Sequence, residues 1–323
     1  MLSRITRLPN VALAVLGVVT LVLSIFALRS STSSSEALAA TTSLPPAAAG
    51  TSSPGTPTAG SSTNAGNETS AGTASQEPAP TPAVVTDSVA AVSTTTAWRI
   101  TTGTCADGGA TLEVTTTGGR NWKTVPTPYT RLVRVQPTSA TDAFVVGSAD
   151  TGCGLGVRST SDGGASWSAE GSTAQAWARD LKSPTVLHAP GVGSRHPCGK
   201  ADVLDFSRAD ATHAAVLCSD VALRTTSDSG QTWPVAKRIK GAVAVLSSSN
   251  GTYAVTPSAS ASCQGLRVTG ATGGASSSCV TLADPAPPGT VSGSIVGTTA
   301  WLRVGSRTFL STDGLSTWKE AVA

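Results

Sequence analysis

Aromatic residues are scarce in this 323-residue chain, with seven Trp, four Phe and two Tyr. Charge is thin as well: Asp, Glu, Lys and Arg make up 13% and the net charge is +3, carried by residues scattered without a basic run. That spread excludes the electrostatic footprint of a nucleic-acid binder. Histidine occurs three times, as His188, His196 and His213. The spacing of His188, His196 and Cys198 fits no ordinary zinc pattern, so neither a metal nor any other cofactor is expected.

Residues 30–82 lack apolar bulk and consist of Ser, Thr, Ala, Pro and Gly, with Glu36, Glu68 and Glu77 as their only charges. Such a segment cannot bury enough surface to fold and is expected to be a disordered linker, reaching roughly 40 Å as a flexible coil. Ahead of it, residues 1–29 hold the apolar run Val11 to Leu28, preceded by Arg4 and Arg7 and closed by Arg29. A run of this length just crosses a bilayer, and the leading basic residues place the N-terminus inside. The expectation is a single transmembrane helix acting as a signal anchor, with residues 83–323 on the extracytoplasmic side of the cell membrane. Cleavage as a signal peptide near Ala37-Leu38-Ala39-Ala40 is the alternative.

What the chain does have is one phrase repeated. It reads Thr226-Ser-Asp228-Ser-Gly230-Gln-Thr-Trp233 at its cleanest. Other copies are Thr115-Thr-Thr117-Gly-Gly119-Arg-Asn-Trp122, Thr160-Ser-Asp162-Gly-Gly164-Ala-Ser-Trp167 and Ser311-Thr-Asp313-Gly-Leu315-Ser-Thr-Trp318. A decayed copy, Gly270-Ala-Thr272-Gly-Gly274-Ala-Ser-Ser277, has lost both Asp and Trp. The Asp position recurs at 117, 162, 228, 272 and 313, in steps of 45, 66, 44 and 41. Periods near 40–45 residues are those of propeller blades. Upstream of each phrase runs a short strand-like segment, at Trp98, Phe144, Ala215, Tyr253 and Trp301, and before it another, around Val89, Val135, Phe206, Ala244 and Ser292. Each unit reads as strands A to D with the phrase at the C–D turn, giving an all-β, five-bladed propeller whose 66-residue step carries an insertion.

The phrase resembles the Asp-box, or bacterial neuraminidase repeat. Its residue types suit a hairpin turn: an Asp that accepts backbone N–H groups, a Gly free to take positive φ, and a Trp that covers the hairpin. Asp162, Gly164, Trp167, Asp228, Gly230, Trp233, Asp313 and Trp318 are therefore expected to be structural. The resemblance extends to sialidases, which would imply three arginines on a carboxylate, a Tyr nucleophile paired with a Glu, and an Asp acid/base. Tyr253 falls at a packing position, Tyr129 sits near Arg131 and Arg134 without an equivalent glutamate, and Glu113 and Glu170 lie beside the phrases. No convincing carboxylate pair emerges for glycoside hydrolysis. The units are also similar to the photosystem II stability and assembly factor propellers and their relatives in non-photosynthetic bacteria, across about three quarters of the chain. That likeness implies a non-catalytic module that binds a protein or a glycan; a sialidase-like hydrolase is the alternative.

All six cysteines lie beyond residue 82, where an extracytoplasmic location permits disulfides. The blade register puts Cys105, Cys153 and Cys263 in B–C loops, on the face opposite the phrases. The expected pairs are Cys105 with Cys153, Cys198 with Cys218, and Cys263 with Cys279. The insertion, roughly Ala174 to Lys200, reads as a D–A connector projecting from that same loop face. Its His188, Arg195, His196 and Lys200 are the candidate ligand-binding residues, since binding groups gather on loops over rigid scaffolds.

Overall fold

The computed structural model describes residues 83–273 and 276–322. The expected membrane helix and linker lie outside them, and no helix among the described residues is long and apolar enough to cross a membrane. The described residues form an all-β propeller of six sheets, each an antiparallel meander of consecutive strands.

Blade 1 comprises β1 (Asp87–Ala91), β2 (Ala97–Thr101), β3 (Thr111–Thr115) and β4 (Lys123–Val125). Blade 2 has three strands, β5 (Arg131–Pro137), β6 (Ala143–Ser148) and β7 (Gly156–Thr160). Blade 3 also has three, β8 (Ala178–Arg179), β9 (Leu187–Ala189) and β10 (Gly193–Arg195). Blade 4 comprises β11 (Val203–Arg208), β12 (Ala214–Cys218), β13 (Ala222–Thr226) and β14 (Val235–Arg238). Blade 5 comprises β15 (Ala244–Ser248), β16 (Gly251–Ser260), β17 (Cys263–Thr272) and β18 (Ser277–Thr281). Blade 6 comprises β19 (Val291–Val296), β20 (Thr299–Val304), β21 (Arg307–Ser311) and β22 (Lys319–Glu320).

The expected count of five is therefore corrected to six. The 66-residue step holds a short blade and not an inserted connector. The mark of that blade in the sequence is Ala176-Trp177, which matches Ala97-Trp98 at β2 and Ala300-Trp301 at β20. All three tryptophans are fully buried. β8 is thus the counterpart of a second strand, and β9 and β10 are counterparts of a third and fourth. Among the described residues blade 3 has no inner strand. The segment after blade 2 passes through a 3-10 turn, Thr173–Gln175, directly into Trp177.

The core lies between blades. Leu204, Ala215, Leu217 and Leu223 of blade 4 pack on Ala242, Val245 and Ala254 of blade 5. The next wedge joins Leu246, Val255 and Leu266 to Val291, Leu302 and Phe309. Blades 2 and 3 share only a small wedge of Val146, Ala176 and Ala178. Side chains on the inner strands also tie neighbours together. The Val245 N–H donates to the Asp205 carboxylate at 2.8 Å, and the Ser247 N–H donates to Ser207 Oγ at 2.9 Å. At the seam between the last blade and the first, the Ala91 N–H donates to Ser294 Oγ at 3.1 Å. Arg303 crosses the same seam, donating to the Ile100 carbonyl at 2.6 Å and pairing with Asp87 at 3.4 Å.

The residues before β1 occupy the centre of the ring. The Val85 N–H donates to the Leu204 carbonyl at 2.8 Å, and the Thr86 N–H donates to that of Gly289 at 2.8 Å. Blade 4 stands opposite blade 1 in a ring of six, so the bond from Val85 to Leu204 spans the axis and closes it at the ends where the inner strands begin.

Candidate functional site

The repeated turns use their carboxylates internally. Asp162 Oδ1 accepts from Thr160 Oγ1 at 2.7 Å and from the Ser166 N–H at 2.9 Å, while Oδ2 accepts from Ser166 Oγ at 2.5 Å. Asp228 repeats this with Thr226 and Thr232, and Asp313 with Ser311 and Thr317. The hydroxyl of Ser166 first, then its N–H, holds the Asp162 carboxyl down at about 2; Thr232 does the same for Asp228, also at about 2. Asp313 is likewise lowered, chiefly by the Thr317 hydroxyl. Gly230 has φ +86°, and a Cβ there would meet Ala189 Cβ at 2.9 Å and the Trp177 ring at 3.0 Å. Its turn packs directly on blade 3, a close approach that requires glycine. The phrase tryptophans Trp167, Trp233 and Trp318 are half-buried and reach for partners: Trp167 Nε1 donates to the Pro126 carbonyl, and Trp318 Nε1 to Ser278 Oγ, each at 2.9 Å.

The four ligand-binding candidates belong to the body of blade 3 and its exit. His188 lies on β9, where Nε2 meets the Asp180 carboxylate at 2.9 Å. Arg195 ends β10 and donates to the Ser194 carbonyl at 2.8 Å. His196 Nδ1 contacts Thr185 Oγ1 at 3.2 Å, and Lys200 is exposed. None of the four lines the central cavity. Among the described residues no group of three or more His, Cys, Asp and Glu could hold a metal. Disulfides join Cys105 to Cys153, Cys198 to Cys218 and Cys263 to Cys279. The second links the exit of blade 3 to β12 of blade 4, so it ties two blades together.

The structure does bring a glutamate to Tyr129. Glu170 packs over Gly156, and Arg158 lies 5.8 Å from the Tyr129 ring centre and 3.9 Å from the Glu170 carboxylate. Tyr129 is 3% exposed, within the wedge between blades 1 and 2. Burial first, then the Glu170 charge, pushes its phenol further up from its ordinary range. This is a packed, protonated tyrosine.

The cavity with chemistry is central and off-axis, about 260 Å³, lined by β1, β5, β8, β11 and β19 but not by β15. It runs from Val85 at the closed end to Ala91, Pro137, Ala209 and Val296 at the other, on the side of the repeated turns. It exists because blade 3 lacks an inner strand. Across that gap Arg134 of β5 reaches Phe206 of β11, its guanidinium 5.1 Å from the ring centre. Arg134 Nε is inaccessible to solvent and has no hydrogen-bond partner among the described residues. Burial, and then the charge of Arg208, pushes the Arg134 guanidinium well below the usual arginine range. Burial also lowers Arg208 and Arg179. Arg179 caps the closed end, donating to the Val85 carbonyl and, at 3.5 Å, to that of Leu204.

Asp205 is the one carboxylate in the lining; burial raises it to about 6, against the N–H groups of Val245 and Phe206 and the charge of Arg179. Among the described residues Arg134, Arg179 and Arg208 form no salt bridge within 4.0 Å. An arginine does not give up its proton in a protein, so this environment leaves unmatched positive charge. Sequence reasoning passed over Arg179 and Arg208 because it placed a connector where blade 3 stands; Trp177, unassigned to any repeat, was the available signal.

No family model matches the chain, and no curated protein does. Solved structures do. YCF48 bound to a D1 peptide is 16% identical with a TM-score of 0.37, over 75% of this chain and 82% of that one. YCF48 from Cyanidioschyzon merolae is 17% identical with a TM-score of 0.38, over 75% and 86%. The chain is similar to YCF48 propellers. It is also similar to the GH74 xyloglucanase from Xanthomonas campestris, 13% identical with a TM-score of 0.28, over 72% of this chain and 37% of that enzyme.

Proposed function

We propose that this protein is a membrane-tethered, extracytoplasmic and non-catalytic binding module that recognises an anionic group of a protein or glycan partner in its central cavity. The observation that carries this reading is Arg134, half-buried with an inaccessible, unpartnered Nε beside Arg208, and with no salt bridge within 4.0 Å to either among the described residues, Asp210 acting on Arg208 only at longer range. Three arginines against Asp205 leave the lining with a formal charge of +2. A carboxylate, sulfate or phosphate entering there would gain charge-assisted, bidentate hydrogen bonds in a desolvated setting. Hydrolysis of a glycoside needs two facing carboxyl groups, and the lining offers one, already engaged by the Val245 N–H. Tyr129 is no substitute nucleophile, since it is 3% exposed in the wedge between blades 1 and 2 and does not line the cavity. The tether is read from the Val11 to Leu28 run, and the compartment from three disulfides.

The test is melting of the folded domain in glutarate or sulfate against chloride at equal ionic strength. Both dianions should raise the melting temperature of the wild type and leave Arg134→Met and Arg208→Met unmoved. An equal rise in the variants, or no rise in the wild type, would remove the cavity as the site.

A further inference from the structure

Among the described residues blade 3 is a sheet whose inner edge has no strand partner. Asp180 N–H donates to the Val186 carbonyl at 3.0 Å, and Ala178 and Arg179 are in register with His188 and Leu187. In an antiparallel pair the main-chain groups of alternate residues point to the partner strand. Ala178 and Asp180 therefore face β9, and Arg179 turns its N–H and C=O the other way, into the cavity. Among the described residues neither group hydrogen-bonds to another element. In blades 1, 2, 4, 5 and 6 the corresponding edge is covered by an inner strand, β1, β5, β11, β15 or β19. The uncovered edge is flanked by Val133–Pro137 of β5 and Asp205–Ala209 of β11, a slot five residues long on either side.

Resting on the reading of the cavity as an anion site, we propose that blade 3 is a strand acceptor: an extended segment of a partner protein, carrying one acidic side chain, adds to β8 as the missing inner strand. Main-chain hydrogen bonds to Arg179 hold the segment, and its carboxylate meets Arg134 and Arg208. An incoming strand antiparallel to β8 has the polarity of the other inner strands. Its entry is the end of the cavity on the side of the repeated turns, because Val85 closes the other. Arg134, which now leans across the slot onto Phe206, swings onto the carboxylate.

The experiment uses the full chain in detergent and a synthetic library of hexapeptides, acetylated and amidated, with one fixed aspartate among Val, Thr, Ser and Ala. Selected peptides should lose at least 10-fold in affinity when the aspartate becomes asparagine and when alternate backbone nitrogens are methylated. They should lose as much against Arg134→Met, a variant checked for folding by its melting curve. Peptides indifferent to N-methylation, or no peptide selected while glutarate still stabilises the protein, would overturn strand addition and leave the anion site standing. If neither peptides nor glutarate bind, both readings fall.

Discussion

Two arginines reach across breaks in the ring, and their surroundings are opposite. At the seam between blades 6 and 1, Arg303 is satisfied on every side: it pairs with Asp87, donates to the carbonyls of Ile100 and Gly305, and bonds Thr101 Oγ1. At blade 3, Arg134 faces an aromatic ring, a second arginine and an empty hydrogen-bond position. Arg303 is 6% exposed and Arg134 half-buried, and only at Arg303 does a carboxylate of the chain offset the cost of taking the guanidinium out of water. A buried charge matched by its own chain is a closure device. One left unmatched lowers stability unless something outside the chain matches it.

The contrast breaks most visibly in stability. Arg303→Ala strands Asp87 in the seam and should cost about 3–5 kcal/mol, seen as a lower denaturant midpoint. Arg134→Met removes an unmatched charge and keeps an apolar stem on Phe206, so its midpoint should be unchanged or higher. If the two variants lose stability equally, Arg134 is a structural residue whose partner the cavity geometry conceals.

How much of this was legible beforehand follows from where the signal resides. Inner strands around Val89, Val135, Phe206, Ala244 and Ser292 were readable, because alternating short runs recur at a fixed offset from the phrase, and these are β1, β5, β11, β15 and β19. The disulfide pairs were readable too, since the register puts each pair within reach. Blade 3 was hidden because its strands are two or three residues long and its C–D turn, Pro190-Gly191-Val192-Gly193, carries no Asp and no Trp. Without that blade the arginines of β5 and β11 read as belonging to adjacent blades. Their meeting across a gap is a property of the ring, which no local pattern encodes.

The cavity's lone acid sharpens the comparison through pH. Asp205 has its carboxyl raised from 3.8 to about 6 by burial, so between those values the folded protein holds a proton that the unfolded chain has released. Stability from this group therefore falls as pH rises through that window, and the loss is complete above about 6, amounting to roughly 3 kcal/mol at most. Asp162 and Asp228, held at about 2, act in the opposite sense and only at lower pH, their contribution being lost as pH falls below the unfolded value. Denaturant midpoints measured from pH 4.5 to 7 should decline for the wild type relative to Asp205→Asn. Parallel curves would mean that Asp205 is ionised throughout, matched by Arg179 as closely as Asp87 is by Arg303.

The smallest effect concerns the turns, where blade 1 has Thr117 at the position that blade 4 fills with Asp228. In blade 4 the Asp228 carboxylate collects three hydrogen bonds within its own turn. In blade 1 the same position is Thr117, whose Oγ1 accepts only the Asn121 N–H at 3.0 Å and shares a hydroxyl contact with Thr115 at 3.2 Å. Arg120 lies beside it, donating to the Thr117 carbonyl at 3.0 Å. Thr117→Asp would supply a second acceptor oxygen where the Thr115 hydroxyl and the Asn121 side chain can donate, next to a cation. The gain should be about 0.5–1.5 kcal/mol, the net worth of a hydrogen bond in a partly solvated turn. A melting temperature raised at pH 7, with the gain shrinking as pH falls from about 4 toward 2, the range over which carboxylates held at about 2 in these turns lose their stabilisation, would show that the turn works through its charge. An unchanged melting temperature throughout would mean that the Gly118-Gly119 backbone, with φ +71° and +81°, already holds the turn without the acid.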